Sequence, residues 1–288
     1  MEARWTVRTV LEASERVLVA RGGVAPDLCP TRTDVTRTLA HVLGTDRLRL
    51  LMDSDRPLLD AERAEFRARF ERLLTGEPLA YVLGSCEFYA RSFSIDRRAL
   101  IPRPETELLV TEALRRLPQN ATVFEPCTGS GCIAISLVLE RGDLEVSASD
   151  VSADALALAR HNAKSLGARV GFAEGSWWEP AAGRTFDALV ANPPYVRPDA
   201  PELLDASVAR FEPSIALFSE PGRPLSSYEA LLRGGVAGIR SGGHVLFEAG
   251  IDTTQDLARI LERSASYDQV DVLEDEAGIP RIVAARRK

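Results

Sequence analysis

One run in this chain combines residue types that suit one kind of chemistry, the handling of a planar NH2 group: Ala191-Asn192-Pro193-Pro194-Tyr195. Asn192 offers a side-chain carbonyl and the backbone carbonyl of Pro193 follows it, so two acceptors are available for one such group. The paired prolines stiffen the loop, and Tyr195 adds an aromatic face to pack on the planar group. An amide nitrogen is a weak nucleophile because its lone pair is delocalised, whereas a methyl sulfonium is already a strong electrophile. Joining the two demands positioning more than a strong base. Two acceptors orient the NH2 so that its lone pair faces the methyl carbon, and fixed near-attack geometry supplies about 7–11 kcal/mol of a barrier. The same acceptors stabilise positive charge developing on the nitrogen. Asn192, Pro193 and Tyr195 are therefore the candidate catalytic residues. The bland alternative is a rigid turn.

A second candidate is Phe124-Glu125-Pro126-Cys127-Thr128-Gly129-Ser130-Gly131, which follows an apolar strand pattern and precedes a helical one. Glycines there let the backbone approach a ligand at the helix N-terminus. Asp150 stands nineteen positions after Gly131 at the end of the next strand pattern, where a carboxylate accepts from both hydroxyls of a ribose. Gly129 to Ala134 also fits G-x-G-x-x-A, so the turn alone leaves a dinucleotide open. Glu125 suits a different ligand, because its carboxylate meets the ammonium of a methionine moiety better than a pyrophosphate. Asn192-Pro193-Pro194-Tyr195 tips the choice to S-adenosylmethionine.

These residues need a scaffold. From Ala121 onward short apolar strands alternate with helical segments, the signature of a mostly parallel sheet covered on both faces. Strands are expected at 122–125, 145–149, 186–191 and 244–248, and helices at 133–140, 153–166, 226–239 and 254–263. Segments 270–274 and 281–285 read as an antiparallel edge pair. From Trp5 to about Leu74 apolar residues recur three and four apart, predicting several short helices, two of them at 34–43 and 60–74. Breaks fall at 21–23, 26–30 and 53–57. Alternation of Phe88, Phe93 and Ile95 predicts a β-hairpin between Gly84 and Ile101, and 105–117 reads as a helix. The expected fold is α/β: a Rossmann-like domain over 101–288, preceded by a small all-α domain over 1–82 and a hairpin joint over 83–100.

A net charge of −7 argues against broad binding to phosphate backbones. Arginines 63, 67, 69, 72, 91, 97 and 98 form a local exception, best explained as a solvated face paired with Asp and Glu. Cys29, Cys86, Cys127 and Cys132 lack metal-ligand spacing, so no metal site and free thiols in a reducing compartment are expected. His41, His161 and His244 stand apart from any nucleophile. The first residues hold neither a secretory nor a transit signal, and no run is long enough to span a membrane. A cytoplasmic protein is expected.

Together these motifs resemble the release-factor glutamine methyltransferases, the HemK or PrmC family. The resemblance covers nearly the whole chain. It extends to Gly76-Glu77-Pro78-Leu79-Ala80-Tyr81 with Glu87-Phe88-Tyr89, to Ile101-Pro102-Arg103-Pro104-Glu105-Thr106-Glu107, and to Arg210-Phe211-Glu212-Pro213. It implies a helical domain that recognises a release factor, a hairpin joint, a catalytic domain using S-adenosylmethionine, and N5-methylation of the glutamine in the Gly-Gly-Gln loop; from the acidic balance no direct nucleic-acid partner is expected. By position, Cys127, Thr128, Gly129, Ser130 and Gly131 line the methionine moiety, Asp150 holds the ribose and Trp177 flanks the adenine. Asn192 to Tyr195 hold the glutamine, with Asn192 also bordering the cofactor. Trp178 is the other candidate for the adenine wall. If the neighbours point opposite ways, one packs in the core. Arg103, between two prolines, either holds the substrate loop or grips the target loop.

Departures are visible. Most members carry Asp and Gly where this chain has Glu125 and Cys127, and Asp where it has Ser176, a change expected to weaken cofactor binding modestly. A similar Cys-Thr-Gly-Ser-Gly-Cys run marks the sister family that methylates a ribosomal-protein glutamine, which is one alternative. A nucleic-acid adenine methyltransferase and a cofactor-binding assembly module without catalysis are the others.

Overall fold

The computed structural model describes residues 5–22, 28–199 and 204–288. By its contacts the chain divides into two units, Met1–Ser85 with Leu204–Phe211, and Cys86–Leu203 with Glu212–Lys288.

The first unit is helical: α1 (Val7–Gly22), α2 (Arg32–Val42), α3 (Arg47–Met52), α4 (Asp60–Leu74) and α5 (Leu79–Leu83), joined by a short helix at Ala206–Phe211. Thr31 and Asp34 cap α2 reciprocally and Asp46 caps α3, satisfying N–H groups that a helix end leaves open. Val7, Val35, Leu39, Leu50, Phe66, Leu73 and Val82 form the core. Glu77, 7% exposed, accepts from Arg72, whose guanidinium also donates to the Tyr81 carbonyl, so the Gly76–Tyr81 motif is a brace of this unit. The expected breaks at 23 and 26–27 lie outside the described residues; α1 continues through Gly22. Arg63 and Arg69 pair along α4 with the exposed Asp60 and Glu65, as a solvated helix face does, whereas the partner of Arg72 is the buried Glu77.

The second unit begins with a hairpin, β1 (Ser85–Phe88) and β2 (Arg91–Ser94). Its turn residues Tyr89 and Ala90 both have positive φ (49° and 57°), the mirror-image turn that matches strand twist. α6 (Thr106–Arg116) leads into β3 (Thr122–Pro126), α7 (Cys132–Glu140), β4 (Glu145–Asp150), α8 (Ala153–Leu166), β5 (Gly171–Glu174) and β6 (Phe186–Ala191). After the helix at Ala206–Phe211, which is α9, come α10 (Ser214–Leu217), α11 (Ser226–Gly238), β7 (Ile239–Glu248), α12 (Thr254–Arg263), β8 (Tyr267–Glu274) and β9 (Pro280–Arg287).

The seven strands lie in the order β5-β4-β3-β6-β7-β9-β8, with β9 antiparallel to both neighbours. Side chains alternate across the sheet. Val123, Ala188, Val190 and Leu246 pack with α6 and α7, while Phe124, Leu189, Ala191 and Phe247 pack with α11 and α12. Both faces are thus covered, as a parallel sheet requires. Strand order reverses between β3 and β6, and in such sheets ligands bind beyond the carboxyl ends of the strands at that point.

Candidate active site

The turn after β3 is shaped by backbone geometry. Cys127, Gly129 and Gly131 have φ of 59°, 55° and 82°. Thr128 N–H donates to Ser149 O at 3.0 Å and Gly131 N–H to Thr128 O at 2.8 Å before α7 starts. A Cβ on Gly131 would stand 2.9 Å from Ile135 Cδ1 and 3.1 Å from Ala159 Cβ, so glycine is needed for both the conformation and the close approach of α7 to α8. Asp150, ending β4, accepts Gly129 N–H and Ser152 N–H at 2.9 Å each. Burial pushes its carboxyl up, and those N–H groups hold it back. Asn162 of α8, 1% exposed, donates to Ser130 O and Ser94 O and accepts Ser94 N–H, tying β2 to the turn.

A cavity of about 310 Å³ opens above these strand ends, at the lower end of the range for small-molecule sites. Cys127, Thr128, Gly129, Ser130, Asp150, Trp177, Asn192, Pro194 and Arg103 all stand in its wall. Thr106, Ala216 and Phe218 also line it, as does Ile215, which is 60% exposed.

Other expected contacts sit differently. Glu125, 1% exposed, is behind the turn, where Oε2 accepts from Thr128 Oγ1 at 2.8 Å and from Ala134 N–H at 3.0 Å. Its Oε1 is buried with no protein partner, and burial raises its carboxyl well above the usual range. Gly131, Pro193 and Tyr195 also lie outside the wall. Pro193 is buried, and Tyr195 turns away to donate to Glu248 Oε1 at 3.3 Å. Ser176 is outside too; its N–H donates to Glu179 Oε2 at 2.9 Å.

The two tryptophans part. Trp177, at φ 48°, faces the cavity. Trp178 packs on Phe124 with ring centroids 5.0 Å apart, donates to Leu231 O at 2.8 Å, and lies so close on α11 that a Cβ on Gly234 would overlap its ring. Arg103 donates to Glu212 Oε1 at 2.6 Å, which ties its guanidinium to the segment after α9.

Three thiols of this unit are held on the protonated side by their surroundings. Desolvation, with Asp150 and then Glu125 nearby, keeps Cys127 protonated, desolvation and Glu125 do the same for Cys132, and burial pushes Cys86 up to about 11. What the wall offers instead is the Asn192 amide, the Asp150 carboxylate at the end of β4, the Trp177 ring and the backbone of the glycine turn, with Arg98, Arg103 and Glu220 also in the lining.

Sequence reasoning gives no role to Asn162 or Thr106, and for Glu248, at the end of the strand expected at 244–248, it offers three: shaping the cleft, capping a helix or standing solvated. Thr106 Oγ1 donates to Glu248 Oε2 at 2.6 Å and accepts from Asn192 Nδ2 at 3.4 Å. The available signal is a carboxylate closing an apolar parallel strand, a placement that requires partners.

Residues 31–84 match the family model described as the PrmC N-terminal domain, and residues 104–210 match the methyltransferase small domain. The release factor glutamine methyltransferase of Neisseria gonorrhoeae is 40% identical over 86% of this chain and 90% of its own length. The chain belongs to the release factor glutamine methyltransferase family. The relative from Geobacter sulfurreducens is 35% identical over 98% of this chain and 97% of its own, so the family likeness includes both units. The fold has wider company: a methyltransferase from Pyrococcus furiosus matches with TM-score 0.52 and 16% identity, over 80% of this chain and 99% of that one. A 16S rRNA methyltransferase from Thermus thermophilus, solved with AdoMet and guanosine, matches with TM-score 0.51 and 15% identity over 71% and 50%. No helix among the described residues is long and apolar enough to cross a membrane.

Proposed function

We propose that this family member transfers a methyl group from S-adenosylmethionine to N5 of the glutamine in the Gly-Gly-Gln motif of peptide chain release factors, acting in the cytoplasm and without a nucleic-acid partner. Its domains are a helical recognition domain over 1–82, a hairpin over 83–100 and a methyltransferase domain over 101–288. One observation carries the reading: the Asn192 amide shares a cavity wall with Asp150 and the glycine turn.

The residues fit the cofactor. Asp150 keeps lone pairs for ribose hydroxyls, Trp177 supplies an adenine-sized plane, and Cys127 to Gly131 present backbone to the methionine moiety. Glu125 Oε1, buried and unpartnered behind that turn, matches an ammonium group. When bound, the cofactor supplies an electrophilic methyl group on a sulfonium. The chain contributes position. Asn192 Oδ1 accepts one N–H of the target amide and the Pro193 carbonyl is the candidate for the other, turning the nitrogen lone pair toward the cofactor side. The same acceptors stabilise charge gained by that nitrogen, and solvent takes its proton after transfer. Tyr195 backs the loop from the core, and Arg103 holds the wall by gripping Glu212.

Asn192→Ala tests this directly. Turnover should be lost while cofactor binding, measured by calorimetry, falls far less, because Asp150, Trp177 and the glycine turn are left intact. Retained turnover would remove the amide from the mechanism.

A further inference from the structure

Asn192 is one end of a hydrogen-bonded chain that runs through Thr106 to Glu248. Glu248 closes β7 and is 2% exposed. Its Oε2 accepts from Thr106 Oγ1 at 2.6 Å and its Oε1 from Tyr195 Oη at 3.3 Å, while Tyr228 Oη of α11 donates to the Glu248 carbonyl at 2.9 Å. Thr106, 2% exposed, opens α6, and its Oγ1 accepts from Asn192 Nδ2 at 3.4 Å.

Direction matters here. A carboxylate only accepts, so the single proton of the Thr106 hydroxyl is committed to Glu248. The Thr106 oxygen is then left as an acceptor, and of the two ends of the Asn192 amide only the NH2 end satisfies it. Oδ1 is thereby aimed away from Thr106. An asparagine amide has two ends of nearly equal size and opposite hydrogen-bonding sense, so its orientation is set by its partners and not by shape. Turned over, it would present a donor to the NH2 it has to bind.

We propose that Glu248, acting through the Thr106 hydroxyl, is the positioning residue that fixes which end of the Asn192 amide faces the cavity. The inference rests on the proposed role of Asn192 as acceptor for the target amide. The same carboxylate also holds Tyr195, and Ser227 Oγ donates to the Pro194 carbonyl at 2.9 Å. The Asn-Pro-Pro-Tyr loop is therefore anchored at its asparagine and its tyrosine by one residue at the end of β7. Polarity specification of this kind acts on turnover, because a flipped amide still leaves the cofactor contacts in place.

The test uses the full chain with a release factor bearing an unmethylated Gly-Gly-Gln loop, following kcat and KM for that factor, cofactor Kd and thermal melting. Thr106→Val keeps the shape and removes the hydroxyl. It should lower kcat roughly 10- to 100-fold, the scale of a misplaced reacting group, with KM and cofactor Kd within about threefold. Thr106→Ser, which restores the hydroxyl, should bring kcat back to within about threefold of the starting protein. If Thr106→Val fails to melt cooperatively, Glu248→Gln carries the same expectation, since a glutamine NH2 facing Thr106 frees the hydroxyl proton. A kcat unchanged in these variants, a loss confined to KM or cofactor Kd, or no rescue by serine overturns the relay. Absence of transfer by the unaltered protein overturns the proposed function and the relay with it; transfer that persists in Thr106→Val overturns the relay alone.

Discussion

Arg103 and Glu212 hold each other across the cavity wall: the guanidinium donates to Oε1 at 2.6 Å, and Oε2 accepts the Ile101 N–H at 3.0 Å. Two segments far apart in sequence are joined by a carboxylate whose side chain is 1% exposed. Removing the arginine strands that charge. Arg103→Ala should cost about 1–3 kcal/mol in urea unfolding, less than a fully buried pair because the Arg103 side chain keeps 33% exposure. In a Glu212→Gln background the same change should cost less, which a double-mutant cycle reads directly. Additive losses would mean that the two residues act independently.

Cys127 sits at φ 59°, a conformation that disfavours any side chain. Left-handed backbone costs about 1–2 kcal/mol for a residue with a Cβ, partly offset in glycine by its greater freedom when unfolded. Cys127→Gly should therefore stabilise the protein by about 0.5–1 kcal/mol. A lower melting temperature would show that thiol packing outweighs the backbone term.

Glu125 links stability to pH. Burial raises its carboxyl above the ordinary 4.5, so the folded state holds the proton more tightly than the unfolded chain does. That contribution is complete below about 4.5 and is lost as pH rises through the folded value. Without cofactor, Glu125→Gln should flatten the fall in stability above that point and raise the melting temperature at neutral pH. Parallel pH profiles of the two proteins would contradict this.

The tryptophans separate two kinds of loss. Trp177→Ala should weaken cofactor binding roughly 10-fold or more, as a lost stacking contact worth about 1–3 kcal/mol does, with little change in melting. Trp178→Ala should cost about 3 kcal/mol of stability by emptying its bed on Phe124 and α11. Exchange of these phenotypes would reverse the assignment.

Much of this architecture is legible in the sequence. The strand at Phe186–Ala191 and the helices at Ala153–Leu166 and Thr254–Arg263 have the expected bounds, because long apolar periodicity flanked by turn residues is the strongest local signal. β5 escapes it: Gly171-Phe172-Ala173-Glu174 is a mostly exposed edge strand with no β-branched residue to mark it. β7 starts at Ile239 and not His244: Ile239 pairs with Phe186, the register then shifts past Gly242 at φ 82°, and pairing resumes at His244, so the glycines read in the sequence as a break are an irregularity inside the strand. Within the site, the glycine turn, Asp150, Trp177 and Asn192 are visible as motifs. Glu125, Pro193 and Tyr195 lie one layer further from the cavity than their motifs suggest, since spacing identifies a loop without saying which side chains turn inward. The relay through Thr106 and Glu248 is hidden for a different reason: its members stand 142 positions apart and meet only in the fold.

The most direct measurement is intact-mass analysis of an unmethylated release factor incubated with this protein and S-adenosylmethionine, beside the same factor with its Gly-Gly-Gln glutamine changed to alanine. The predicted result is one added methyl group on the unaltered factor and none on the variant. No gain on either, or an equal gain on both, would contradict glutamine methylation at that motif.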